Sequence, residues 1–319
     1  MKFRFILNLL IAISISTVVK GQVDVVVGLY VNDIIIRKND GIFYADFYWW
    51  SKVPITLEKD SALFLSKLDF INSTNDVEIE LSQTLKLDSF YYFQGYCKGH
   101  FNYLYDFRKY PFDKQTIPII IESVNLSEET VVLKTDINSY SEGTIRGLNN
   151  EIEFGDFKII SAGFDNKSKI YATSFGDPNY KINSKFSRLS YNIDIKRDHR
   201  SYVLKIMIPC IILAIISYLV FFIPAQLLEV AVGCTVTSLL ACIALQLTTA
   251  NDIPNIGYLT VANKIYYFFY GMICLALIQT VWTYNLEMKG KSKLAHNLEI
   301  AGRVLFPIIL GVGYFIIVY

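Results

Sequence analysis

"LLEVAVGCTVTSLLACIALQLTTAN", residues 227–251, is apolar enough to enter a membrane yet carries a carboxylate, two amides and a row of hydroxyls. Glu229, Gly233, Thr237, Leu240, Ala244, Leu247 and Asn251 follow one another at spacings of 4, 4, 3, 4, 3 and 4. That rhythm is close to the ~3.6 residues of a helical turn, so these side chains form one stripe. Thr235, Ser238, Thr248 and Thr249 are expected to add hydroxyls beside it. An ionised side chain in hydrocarbon is costly unless water or a partner reaches it. Several copies in a ring would supply that water. Repeated Glu229 would then attract cations at one mouth, Thr237 would offer oxygens to a partly dehydrated ion, and Gly233 would leave a wide level. Leu240 and Leu247 would close the path by dewetting. The competing reading is that the small residues only pack helix on helix.

Working outward, residues 202–222, 266–284 and 300–319 are also apolar runs, each near the length that crosses ~30 Å of hydrocarbon at ~1.5 Å per residue. The connection at 286–299 carries Lys289, Lys291 and Lys293, whereas "FIPAQ" at 222–226 is uncharged, so the basic loop marks the cytoplasmic side. Trp282 and Tyr284 read either as interfacial anchors or as packing groups. With 53% hydrophobic residues, a mean hydropathy of +0.35 and a net charge of +1, the chain is too apolar for an ordinary soluble domain and too balanced for a nucleic-acid partner.

Ahead of residue 199 the pattern changes to short alternating runs: "VEIEL" at 77–81, "EIEFGDFKII" at 151–160, and "LSYNIDI", where Leu189, Tyr191, Ile193 and Ile195 share one face. Turn signals separate them, which predicts an all-β, immunoglobulin-like sandwich. Residues 1–21 combine a basic start at Lys2 and Arg4 with a short apolar run, the form of a signal peptide; an uncleaved first span is the alternative. The fold class is therefore an α+β membrane protein: leader 1–21, exported sandwich 22–199, four-helix transmembrane domain 200–319. Of five cysteines only Cys97 precedes residue 200, so no disulfide framework follows. The sequence contains no G-x-S-x-G, no local metal-ligand spacing and no Gly-rich phosphate loop, so neither an enzyme, a cofactor nor a metal site is expected.

Between two of the strands lies "YPFD", Tyr110-Pro111-Phe112-Asp113. Together with Arg197 before the first span, Pro209 inside it, the stripe, and Pro254 closing the second span, it resembles the pentameric ligand-gated ion channels of the Cys-loop receptor superfamily. The short linker after the third span is similar to that of prokaryotic members. Tyr103 and Ile117 stand where the family's disulfide would be, so packing must hold the loop. The resemblance implies a homopentamer; the basic loop and the leader put the sandwich and the C-terminus outside a plasma membrane, and the Glu229 ring implies permeating monovalent cations. The resemblance also implies a coupling cluster of Asp40, Tyr110, Pro111, Phe112, Asp113, Arg197, Pro254 and Tyr258, in which the stiff Pro111 turn transmits displacement; a static ion-pair network is the alternative.

For the agonist, the resemblance points to aromatics between neighbouring sandwiches. Glu122 and the hairpin residues Tyr171, Phe175, Tyr180 and Phe186 are the available groups, suited to an amine. Burial in the core is the plainer reading of each aromatic. Protons acting on interface carboxylates or on His199 are the second agonist. A non-conducting receptor, a binding sandwich merely anchored by four helices, is the alternative function.

Overall fold

A computed structural model describes residues 22–37, 41–124, 126–178, 180–250 and 257–318. The leader reading, Asp40, Asn251 and Pro254 lie outside the described residues. Contacts divide the chain into one unit of 1–105 and 114–196 and another of Asp106–Asp113 and Arg197–Tyr319.

The first unit is built from β1 (Val23–Arg37), β2 (Ile42–Pro54), a short helix α1 (Lys59–Leu65), β3 (Leu68–Phe70), β4 (Glu78–Lys86), β5 (Phe90–Asn102), β6 (Lys114–Ser123), β7 (Val131–Thr135), β8 (Phe157–Ile170) and β9 (Lys185–Arg197). One sheet runs β4-β5-β2-β1-β7 and the other β3-β6-β9-β8. Alternation decides which face goes inward. In β2, Phe43, Ala45, Phe47, Trp49 and Val53 are buried, while Tyr44, Asp46, Tyr48, Trp50 and Lys52 lie on the other face. Across the sandwich Leu189, Tyr191, Ile193 and Ile195 are all fully buried, as their spacing predicts. Aromatic contacts such as Phe43 on Phe101, at 5.4 Å between centroids, and Phe47 on Phe70, at 5.2 Å, fill the space between the sheets. Tyr103 and Ile117 are part of this core, so apolar packing occupies the places where the family carries a disulfide.

Two sequence expectations need correction here. The strand read from 151 begins only at Phe157, because Gly155 takes a left-handed turn with φ +58°. β4 continues past Leu81 to Lys86 and is exposed on both faces, leaving Ile79, Leu81 and Leu85 uncovered at the sheet edge.

Among the described residues, four helical stretches are long and apolar enough to cross a membrane: Val203–Phe222, Ala225–Thr249, Val261–Met288 and Ser292–Ile317. The first contains a π-helical turn, Val203–Met207, followed by α2 (Ile208–Leu219). Pro209 explains the wide turn, since it has no N–H to donate and its ring needs room below it. The others are α3 (Leu228–Ala250), α4 (Val261–Met288) and α5 (Ser292–Val318). Helices α4 and α5 are longer than their apolar runs suggest, so the linker expected at 286–299 shrinks to a turn. Gly290, at φ +69°, makes it possible: its N–H bonds to the Glu287 carbonyl at 2.9 Å and that of Lys291 to Leu286 at 2.9 Å, a Schellman cap. Lys293 accordingly sits in the first turn of α5.

Polar ties hold these helices where hydrophobicity alone gives no preference. Thr249 and Tyr266 share a hydroxyl contact of 3.0 Å, Tyr270 donates to Gln246 Oε1 at 2.5 Å, and Gln279 Nε2 donates to the Leu298 carbonyl at 2.6 Å. Arg303 Nε donates to the Phe221 carbonyl at 3.0 Å while its guanidinium lies 4.6 Å from the Phe222 ring centroid.

Packing around the β1–β2 pair gives a direct test. A methyl added at Gly28 would meet the Trp50 indole at 2.2 Å, whereas one added at Gly163 meets nothing within 4 Å. Gly28→Ala is expected to lower stability by about 1–3 kcal/mol, the usual range for overpacking. Gly163→Ala should change the thermal unfolding midpoint little; equal midpoints for both variants would contradict the packing.

Candidate functional sites

On α3 the predicted stripe lies within the exposed face, which also takes in Val230, Val236 and Ile243. Glu229, Gly233, Thr237, Leu240, Ala244 and Leu247 are all exposed in the single chain, Leu240 by 62% and Leu247 by 66%. The opposite face, Ala231, Thr235, Ser238 and Cys242, is buried against the other helices. Thr235 and Ser238 therefore do not flank the stripe, contrary to the sequence expectation. Thr235 returns its hydroxyl to the carbonyls of Ala231 at 3.1 Å and Val232 at 3.0 Å, the usual way a buried hydroxyl in a helix is satisfied. Thr248 is exposed and Thr249 turns to Tyr266.

The Pro loop, Asp106–Asp113, groups with the helices although it is covalently flanked by β5 and β6. Arg197 Nε donates to Asp113 Oδ1 at 2.6 Å and Arg197 Nη2 to Oδ2 at 3.0 Å, a bidentate pair with the two side chains only 6% and 1% exposed. The Arg197 N–H also donates to the Asp113 carbonyl at 3.1 Å. On the other side of the guanidinium lies the Tyr110 ring, 4.8 Å from Cζ to the centroid. Pro111 is buried, and Phe112 rests 5.4 Å from the His199 ring and 6.5 Å from that of Tyr202.

The same loop finishes the N-terminus of α4. A helix start leaves its first N–H groups without intrahelical partners. Here the N–H of Val261 donates to the Arg108 carbonyl at 3.1 Å, that of Ala262 to the Tyr110 carbonyl at 3.0 Å, and that of Asn263 to the Thr260 hydroxyl at 3.1 Å. Tyr258 joins them, its hydroxyl accepting from the Phe107 N–H at 3.0 Å and its ring lying 5.5 Å from the Arg108 guanidinium. Six of the sequence-predicted coupling residues thus come together: Tyr110, Pro111, Phe112, Asp113, Arg197 and Tyr258. Arg108 and the backbone of Val261 and Ala262 were not foreseen, since backbone capping leaves no residue-type signature.

In the sandwich, Glu122, Tyr171, Phe175, Tyr180 and Phe186 also form one cluster. Tyr171 lies 5.2 Å from Phe175 and 5.4 Å from Phe186, and Tyr180 lies 5.5 Å from Phe186. Glu122, 4% exposed, is taken by Arg188, whose Nε donates to Oε1 at 2.6 Å; the Tyr171 hydroxyl donates to the same carboxylate at 3.1 Å. Arg188 went unnoticed in the sequence because only the β6–β9 register places it opposite Glu122. Burial, reinforced by the neighbouring Glu122 charge, pushes the Tyr171 phenol up.

The other sheet carries a second aromatic surface, a groove of about 580 Å³ lined by Tyr30, Tyr48, Trp50, Phe90 and Tyr92. Its edge is organised by Asp136, which accepts from Trp50 Nε1 at 2.8 Å and from the Ser139 hydroxyl at 2.6 Å and pairs with Lys52 at 2.6 Å. Burial alone would raise the Asp136 carboxyl, but the bonds from Lys52, Ser139 and Trp50 outweigh it and hold the group below its ordinary value.

No family model matches the sequence. Curated relatives do. The proton-gated ion channel of Gloeobacter violaceus is 23% identical over 267 residues, which cover 81% of this chain and 68% of that protein. The pH-sensitive chloride channel 2 of Drosophila melanogaster is 20% identical over 193 residues, 59% of this chain and 36% of its own length. Its namesake in Anopheles gambiae is 24% identical over 190 residues, 57% of this chain and 30% of its own length. The chain is thus similar to proteins named as ion channels, in line with its resemblance to the pentameric ligand-gated ion channels. That similarity fits what the residues assemble: a sheet-rich N-terminal unit, among the described residues four helices long and apolar enough to span, and a Pro loop bonded to the start of the third.

Two outcomes are expected. Replacing Asp113 by Asn or Arg197 by Met leaves a buried charge without its partner, so each variant should lose about 3–5 kcal/mol in unfolding; the double replacement should lose much less than the sum, and additive losses would contradict the pairing. For Asp136 the folded value lies below the unfolded one, so its stabilisation is present above the ordinary carboxylate range, about 3.9, and is lost as pH falls through the folded value. The gap in unfolding midpoint between the native protein and Asp136→Asn should be level above about pH 5 and shrink below about pH 4; a gap that widens on acidification would reverse the sign.

Proposed function

We propose that five copies of this chain form a proton-opened, cation-preferring channel whose pore is lined by the exposed face of α3. The observation that carries this reading is the match between that face and the polar stripe: Glu229 and Thr237 point away from the bundle, and its buried side is made of Ala231, Thr235, Ser238 and Cys242. Facing lipid, an ionised Glu229 would be costly; facing a water-filled axis, it is at home and sets the sign of the permeating ion. Leu240 and Leu247 narrow that axis as apolar levels.

Protons are preferred over an amine as the agonist for a specific reason. Glu122, the carboxylate available to an ammonium group, is already neutralised by Arg188 and accepts from Tyr171. The relatives' names, proton-gated and pH-sensitive, point the same way. His199, beside Phe112, is the titratable group nearest the coupling loop's apolar tip. In this reading the sandwich faces the outside, the Lys289–Lys291 turn faces the cytoplasm, and the Pro loop carries displacement to α4 through its backbone bonds. The aromatic cluster and the aromatic groove belong to different sheets, so a ring of copies would be needed to bring one subunit's cluster to a neighbour's groove.

Purified protein in a planar bilayer under asymmetric salt tests this. Current should rise as pH falls, without added amine, and the reversal potential should follow the cation. Glu229→Gln should move the reversal potential toward zero, and Leu240→Ser should open the pore at a higher pH. Absence of current across the pH series leaves the non-conducting receptor as the function, and a reversal potential that follows chloride overturns the assignment of Glu229.

A further inference from the structure

A second cavity, of about 380 Å³, lies within the sandwich unit; Tyr140 of its lining packs 5.7 Å from Trp50 of the aromatic groove. Its floor is the ladder where residues 144–146 run beside β8: Ile145 pairs in parallel with Ala162, the Arg146 N–H donates to the Ala162 carbonyl at 3.0 Å, and the Ala162 N–H to that of Thr144 at 2.9 Å. In that register Thr144 and Arg146 share a face with Ser161 and Gly163. Gly163 has no side chain to fill the space, and a methyl built there meets nothing within 4 Å.

The backbone under Arg146 is held from several sides. Its carbonyl accepts from the buried Tyr191 hydroxyl at 2.6 Å, and the next carbonyl, of Gly147, accepts from the Val31 N–H at 2.9 Å. Such a site is pre-organised, so little ordering is required when a ligand arrives.

Two opposite charges line the cavity without meeting. Arg146 Nε donates to the Gly143 carbonyl at 3.2 Å, and among the described residues no carboxylate lies within ion-pair distance of its guanidinium. Asp194 accepts from the hydroxyls of Thr116 at 2.6 Å and Ser161 at 2.8 Å, and among the described residues no cation pairs with it. Asp165, the other carboxylate of the lining, is already paired with Lys167. An anion would satisfy Arg146 and be repelled by Asp194; a cation would do the reverse. We infer that this cavity binds a small zwitterion of the amino-acid class, its carboxylate on Arg146 and its ammonium on Asp194. The volume is in the range of small-molecule sites. This site is independent of the pore reading, and its test needs no current.

Isothermal titration of the detergent-solubilised full-length protein with L-valine, valinamide and isovalerate separates the charges. Valine should bind saturably, and each single-charge analogue at least tenfold more weakly. Arg146→Met and Asp194→Asn should each weaken valine binding about tenfold or more, the scale of one charge-assisted hydrogen bond, and Gly163→Val should remove it with an unchanged unfolding midpoint. No heat from any of the three probes, or equal binding of valine and either analogue, overturns the inference. Should Gly163→Val fail to fold, the analogue comparison on the native protein still decides.

Discussion

Hydrocarbon imposes the constraint on which the rest of the molecule depends: it offers no partner to a carboxylate, a hydroxyl or an open backbone group. Helix α3 is where that constraint bites. Its inner face answers locally, with Thr235 folded back on its own carbonyls and Thr249 turned to Tyr266. Its outer face has no such answer, since Glu229 and Thr237 project from the bundle. In the proposed reading a single subunit is therefore an incomplete solution to its own solvent, which assembly around water would complete. The neighbouring helices show the contrast. Along their middle stretches the exposed side chains are mainly apolar, Ile212, Leu275 and Val312 among them.

The same logic governs the loop at Tyr110-Pro111-Phe112-Asp113. Two orphan N–H groups at the start of α4 are satisfied by loop carbonyls, and the loop's carboxylate is clamped by Arg197. Buried ion pairs add little net stability over apolar replacements, but breaking one is costly, so they fix an arrangement more than they strengthen it. Coupling by rigid connection follows if the loop moves as a piece: displacing it displaces the helix it caps. That is the physical content of the stiffness that Pro111 and its packed aromatic neighbours provide.

Much of this was legible in the sequence because periodicity reports burial. The 3.6-residue rhythm of Glu229 to Leu247 named the exposed face of α3, and the alternation of Leu189 to Ile195 named the buried face of β9. The chain failed to announce what depends on register or on backbone. Arg188 became visible only once β6 lay against β9; the capping of α4 involves carbonyls common to every residue; the tight α4–α5 turn rests on one glycine in a charged stretch. Thr235 and Ser238 were misplaced because a hydroxyl near a polar stripe can equally bond its own helix. The cavity between Arg146 and Asp194 was invisible for the same reason as Arg188, since its two charges are far apart in sequence.

The central claim, that the Glu229-to-Leu247 face of α3 borders water, is tested most directly by chemical access. Single cysteines would be placed at Thr237, Ala244 and Leu247, and for comparison at Ala231 and Ser238, in a protein whose five native cysteines have been replaced by alanine. A membrane-impermeant thiol reagent is then applied to the acid-activated, bilayer-embedded protein. Rapid modification at the first three positions and protection at the other two is the result this account predicts. Protection of Thr237→Cys and Ala244→Cys, with modification on the opposite face, would contradict it.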